Sequence, residues 1–336
     1  MDALKEKVYQ PYLVKYMSYN NEAIYEKGKL FSNDELLATT PESVARWMTM
    51  KAFGVPVLED VRATPRIRSS TLEMYKKAVS WYMPHREPAW NTVSSFGNPT
   101  KSRVVNDLIK FVKLKEVRRL GVLSSARRAL TQHEFHIALA MLSTKTTFPL
   151  RYRLPTMMKL QYHLITRSDD LGHFRTDDLK GYSDPKYCMF ALAIKVVWSK
   201  NLHEERHCPE QIILGSMDST YCLLMALSIY LEQWITNGKG SSSVYLFSDN
   251  IEEEKTPTRT KDWYGKSLSK QVFTNDEFYT ISCSERCDKL GSHSLRKYPA
   301  TWASRNDCSA DEIEIRGRWK RNANRIVDRY IDPKQQ

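Results

Sequence analysis

The sequence predicts a mainly α fold with a small β-sheet, an α+β chain in two domains. Three observations carry this. At 336 residues the chain is longer than one typical domain. The first half places apolar residues at helical spacing, as in Leu72, Tyr75, Val79 and Tyr82. The second half contains one stretch, Phe190 to Trp198, that alternates as a strand does. Hydrophobic residues at 41% and charged residues at 27% suit a packed core and argue against disorder.

Taken in order, the elements follow from local chemistry. Pro41-Glu42-Ser43 can open a short helix through Trp47 and Met48. The helix beginning near Ser70 is stopped by Pro84. A turn at Phe96-Gly97-Asn98-Pro99 precedes an amphipathic helix with Val104, Val105, Leu108, Ile109 and Val112 on one face. Thr131 and Glu134 have capping-box spacing, ahead of a helix carrying Phe135, Leu139 and Leu142. Phe148-Pro149 and Leu154-Pro155 interrupt the chain, which sets the expected domains at 1–148 and 149–336. Beyond the alternating strand, a polar turn from Ser199 to Cys208 leads to Gln211–Leu214, which completes a hairpin. Asp218 or Ser219 then caps an apolar helix running through Trp234. Val244 to Phe247 reads as a short strand, Ile251 to Thr260 as a charged exposed loop, and the chain from His293 onward as mainly helical.

The formal charge is +12, from 51 Lys and Arg against 39 Asp and Glu. Such an excess favours a polyanionic partner, nucleic acid before membrane. The excess is concentrated: Lys101 to Arg128 holds nine cations and two acids. Lys101, Arg103, Lys110, Lys113, Lys115, Arg118 and Arg119 in this stretch, with Arg151 and Arg153 beyond it, are the candidate DNA-phosphate contacts. Met1 to Gln10 has no apolar core of a secretory signal, and the longest apolar run, Tyr221 to Leu231, is too short to span a bilayer. Six cysteines without a signal read as reduced intracellular thiols. Cys283 and Cys287 have half of a zinc-site spacing, but no second pair follows, and no metal is assigned.

Four segments stand out by their order. They are Arg167-Ser168-Asp169-Asp170-Leu171, continuing to Asp178-Leu179; Lys200 after the alternating strand; His293-Ser294-Leu295-Arg296; and Gly317-Arg318-Trp319, with Tyr330 eleven residues after Trp319. His293 and Arg296 share one helix face by spacing. Each segment alone arises often by chance; together they resemble the tyrosine recombinases, the integrase-like site-specific DNA recombinases. The resemblance covers roughly residues 150 to 332 and implies the catalytic residues Arg167, Lys200, His293, Arg296, Trp319 and Tyr330. It also implies a helical N-terminal DNA-clamping domain, which with the catalytic domain would form a C-shaped clamp on double-stranded DNA. Assembly on DNA would be as a homodimer or homotetramer. Gly317-Arg318-Trp319 and the stretch from Gly97-Asn98-Pro99-Thr100 to Glu116-Val117-Arg118 are most similar to recombinases of Crypton-type mobile elements, and nuclear localisation rests on that likeness alone. The Trp319–Tyr330 interval is slightly longer than the family's. Lys195 rivals Lys200 as the hairpin lysine, and Arg318 rivals Trp319 for the sixth position.

The chemistry explains why these residue types would be needed. A tyrosine hydroxyl can conserve phosphodiester energy in a covalent 3′-phosphotyrosine. Two arginines, Arg167 and Arg296, can clamp the non-bridging oxygens in bidentate geometry. By resemblance Lys200 protonates the departing 5′ hydroxyl and His293 is a base or phosphate ligand. The scheme requires no metal and no cofactor. A type IB topoisomerase-like nicking-closing enzyme and a non-catalytic DNA-binding descendant are the alternative readings.

Overall fold

A computed structural model describes residues 2–184, 188–199, 209–237, 244–248, 255–286, 289–319 and 326–332. The chain divides into two compact units, residues 1–125 and 126–336.

The first unit is helical. It contains α1 (Asp2–Asn20), α2 (Asn33–Leu37), α3 (Pro41–Phe53), α4 (Ser69–Tyr82) and α5 (Arg103–Val117). Thr40 and Ser43 form the capping box that starts α3, with Pro41 at its first turn. Its core joins Tyr16, Trp47, Met48, Leu72 and Val79 to Val105, Ile109 and Val112. The apolar face expected of α5 is narrower than its sequence pattern, because Val104 is half exposed while Val105, Ile109 and Val112 are sealed.

The second unit opens with α6 (Gln132–Ser143), started by the predicted capping box: the Glu134 amide donates to Thr131 Oγ1 at 3.1 Å and the Thr131 amide to Glu134 Oε2 at 2.9 Å. α6 buries Phe135, Ala138 and Leu142 in the same core as α7 (Leu154–Leu164). This places the division before α6, earlier than the 148/149 break expected from the prolines. Pro149 begins a π-helical turn, Pro149–Arg153, that runs directly into α7. A proline in a first turn lacks only a donor that has no helical partner there, so it starts elements as readily as it separates domains.

After α8 (Ser168–Gly172), an antiparallel sheet forms from β1 (Leu179–Asp184), β2 (Cys188–Lys195) and β3 (Glu210–Leu214), in that order across the sheet. The expected hairpin is present, with Lys195 opposite Glu210 and Ala191 opposite Leu214. β1 has no counterpart among the expected elements, since Leu179 falls at the end of the first motif. The helix predicted from Asp218 starts later, as α9 (Leu223–Thr236), because residues 218–222 form a turn in which the Tyr221 and Cys222 amides donate to the Asp218 carbonyl. Tyr245 makes a single bridge to Arg175 rather than a strand. Thr256–Leu268, expected to begin in an exposed loop, is helix α10, with Pro257 in its first turn and Tyr264 and Leu268 buried. α11 (Asp276–Ser282), α12 (Ser292–Arg305) and α13 (Ala310–Gly317) follow, then a 3-10 turn at Ile326–Arg329. A smaller core of Ile165, Ala300, Ile313, Trp319 and Val327 seats the last segment, with Tyr330 against it. Among the described residues no helix is long and apolar enough to cross a membrane.

Candidate active site

α8, α12 and the end of α13 bring the predicted residues together. Arg167 is the N-cap residue of α8, and its amide donates to Asp170 Oδ2 at 3.0 Å. This i, i+3 return from carboxylate to cap amide fixes the backbone at Arg167. The Arg167 guanidinium donates through Nη1 to Ser199 Oγ at 3.2 Å, which ties α8 to the chain leaving β2. The His173 imidazole stacks on the Trp198 indole, 3.4 Å between centroids and 7° from parallel, reinforcing the same junction. Lys200, the next residue after Ser199, lies outside the described residues. Lys195 is partly buried at the end of β2.

α12 carries both members of the third motif, on different surroundings. Arg296 is fully buried, and its Nη2 donates to the Gly317 carbonyl at 2.8 Å. Its Nε and Nη1 have no hydrogen-bond partner among the described residues. Burial, followed by the positive charge of Arg167, pushes its pKa down to about 9. Its guanidinium carbon lies 4.9 Å from the Trp319 ring centroid and 5.0 Å from that of Tyr330. These two rings stack at 4.5 Å. The indole N–H of Trp319 is also buried, with no hydrogen-bond partner among the described residues. His293, one turn before Arg296, is exposed, yet partial desolvation, then the charges of Arg296, Arg167 and Arg127, hold its pKa below the ordinary imidazole value.

The end of α13 explains why Gly317 precedes this pair. A Cβ there would stand 2.9 Å from Trp319 Cε3, so a side chain at 317 would displace the indole. Arg318 does not point where Trp319 points. It adopts a left-handed conformation, φ 52°, and its Nη2 meets Asp170 Oδ2 at 3.4 Å. Tyr330 is anchored through its backbone: Thr301 Oγ1 donates to its carbonyl at 3.3 Å and accepts from the Asp332 amide at 2.9 Å. Asp332 Oδ2 in turn accepts from the Ala129 amide at 2.9 Å.

Five of the six predicted positions are therefore described, and Arg167, His293, Arg296, Trp319 and Tyr330 converge. The predicted phosphate-contact residues differ in situation. In the first unit Arg103, Lys110, Arg118 and Arg119 are exposed, with Arg103 and Lys110 both near Asp107. Lys113 pairs with Glu73 at 3.0 Å and Lys101 donates to the Glu87 carbonyl. Lys115 is buried, and its ammonium donates to the Val61 carbonyl at 2.6 Å, which makes it an internal tie. In the second unit Arg151 is exposed, whereas Arg153 is buried between the rings of Phe148 and Trp263. Charge counting along a chain does not separate a cation facing water from one whose stem and head are absorbed by packing.

Sequence reasoning passed over Arg127 as a site residue, although its charge bears on His293. The only available signal was its place in the cation run, which does not distinguish it from its neighbours. Among the described residues no group of His, Cys, Asp and Glu is arranged to hold a metal ion; Cys287 lies outside them.

The fold belongs to a known class. It is the mainly α architecture with a small antiparallel sheet seen in tyrosine recombinases. The chain is similar in structure to the XerH site-specific recombinase, in a post-cleavage complex with a palindromic difH substrate, with a TM-score of 0.55 at 12% identity over 89% of this chain and 70% of that one. It is also similar to the integrase of the Tn1549 transposon in complex with transposon right-end DNA, with a TM-score of 0.50 at 10% identity over 94% of each chain. No protein-family model matches the chain, and no curated protein matches it.

Proposed function

We propose that this protein is a site-specific DNA recombinase that cleaves and rejoins strands through a covalent 3′-phosphotyrosine on Tyr330. The observation that carries the reading is the buried Arg296 guanidinium. Two of its nitrogens and the neighbouring Trp319 indole nitrogen lack hydrogen-bond partners among the described residues, and the Tyr330 ring packs against both side chains. Buried donors without acceptors are costly, and an anionic oxygen would satisfy them. A phosphodiester beside a tyrosine supplies that oxygen.

In the proposed reaction the Tyr330 oxygen attacks phosphorus and the bond to the 5′ oxygen breaks. Arg167 and Arg296 hold the two non-bridging oxygens as charge gathers on them, where fixed donors act most strongly. The phenol proton passes to His293, whose lowered pKa keeps a neutral imidazole available. The 5′ hydroxyl leaves with a proton from Lys200. Attack by another strand's 5′ hydroxyl reverses the sequence and exchanges strands without an external energy source. Double-stranded DNA as the partner, and assembly as a dimer or tetramer, extend the reading from the DNA-bound recombinases of like fold. Kinship with Crypton-type elements, and a nuclear site of action, rest on the motif resemblance.

The test uses nicked duplexes carrying candidate recombination sites. Denaturation in detergent should reveal a protein–DNA adduct that maps to Tyr330, and Tyr330→Phe should bind the same DNA without forming it. Undiminished adduct in Tyr330→Phe, or tight binding of many sites with no adduct from the wild type, overturns the proposal.

A further inference from the structure

Gly317, Arg318 and Trp319 are consecutive, yet each engages a different part of the candidate site. The Gly317 carbonyl accepts from Arg296, and the Trp319 ring packs on Tyr330. Arg318 lies between them with its side chain 3% exposed, facing an Asp170 side chain that is 1% exposed. The left-handed backbone at Arg318 turns it away from the direction of α13, which lets neighbours 318 and 319 reach separate partners. Asp170 Oδ2 is shared: it accepts from the Arg167 amide and from Arg318 Nη2. Arg318 Nη1 is directed at two more protein acceptors, the carbonyls of Leu164 and Arg316. Arg296 differs on this point, since its Nη1 has no partner among the described residues. Both Nη groups of Arg318 are turned to its own chain.

We propose that Arg318 is a positioning residue: its buried ion pair with Asp170 joins the end of α13 to the first turn of α8, holding Arg167 and Trp319 in register, and it makes no phosphate contact. The pairing stands independently of the recombinase reading; its consequence for cleavage rests on that reading. A guanidinium suits the task because one planar group serves the carboxylate and two carbonyls at once, which an ammonium on a flexible stem does not.

Hydrogen–deuterium exchange on the full chain tests the pairing without DNA. Arg318→Met and Asp170→Asn should each raise exchange in both peptides 164–172 and 312–319, by about tenfold, and the double variant should exceed neither single one, as expected of coupled partners. Arg318→Lys, which keeps the charge but not the fork, should loosen the same two peptides and serves if Arg318→Met does not fold. Exchange confined to the substituted residue's own peptide overturns the proposal.

The rate of adduct formation at saturating nicked duplex then separates positioning from direct contact. Both single variants and the double variant should be slower by about the same factor, on the order of ten- to a hundredfold, with DNA affinity within about threefold of wild type. Multiplying losses in the double variant, or an unchanged rate in Arg318→Met, overturns the positioning role. Absence of adduct from the wild type overturns the recombinase reading and leaves the exchange data to decide the pairing.

Discussion

At the scale of single residues, the site depends on which polar atoms are already engaged. Arg296 has one nitrogen committed to Gly317 and two with no partner among the described residues. Lysine at 296 would keep the charge but could not hold that carbonyl and clamp a phosphate together. Arg296→Lys should therefore slow adduct formation at least about 100-fold, the scale of losing a preorganised donor, with DNA binding largely retained; single-turnover kinetics checks this. His163 offers a prediction of another kind. Its Nε2 donates to the Tyr221 carbonyl at 2.6 Å, while burial, chiefly, and the charges of Arg316 and Lys159 hold its pKa below normal. The unfolded chain then binds this proton more readily than the folded one. The stability contribution is complete above the ordinary imidazole pKa, about 6.5, and is lost as pH falls toward the lower folded value. Thermal unfolding from pH 8 to 5 should show a decline that His163→Gln flattens.

At the scale of elements, the structure turns on short junctions. Gly317→Ala should push the Trp319 ring off Tyr330, lowering stability by about 1–3 kcal/mol as overpacking does, and slowing adduct formation as well. Gly265→Ala in α10, where an added Cβ meets nothing within 4 Å, is the control; it should hold or raise the melting temperature. The helices were legible where the apolar period was strong, as in α4, or where a capping box was present, as in α6. β1 was not legible, because Leu179–Asp184 alternates weakly and its identity as a strand comes from pairing with β2. α10 was hidden by a charged start, although its buried Tyr264 and Leu268 sit four residues apart. The site motifs could be found as an ordered set. What could not be read was their mutual support, since Asp170 meeting Arg318 and Trp198 meeting His173 join residues remote in sequence.

At the scale of the molecule, the division before α6 matters most. Phe135, Ala138, Leu139, Met141 and Leu142 belong to the core that α7, α9 and α10 complete. A fragment of residues 126–336 should therefore unfold cooperatively in calorimetry, whereas 149–336 should not, since deleting even one such side chain typically costs about 2–5 kcal/mol. DNA affinity of the whole chain should fall steeply with salt, and the 126–336 fragment should show a shallower slope, because exposed cations of the first unit such as Arg118 and Arg119 are gone. A filter-binding titration from low to moderate salt checks both.

The chain from Ala129 through Thr301 to Asp332 has one more consequence. It seats the tyrosine beside the arginine of the same polypeptide, 5.0 Å from ring centroid to guanidinium carbon. On the proposed reading, nucleophile and clamp thus travel as a set. Two inactive proteins, one carrying Tyr330→Phe and the other Arg296→Lys, should fail to rescue each other when mixed on one DNA, because neither lends the other its missing half.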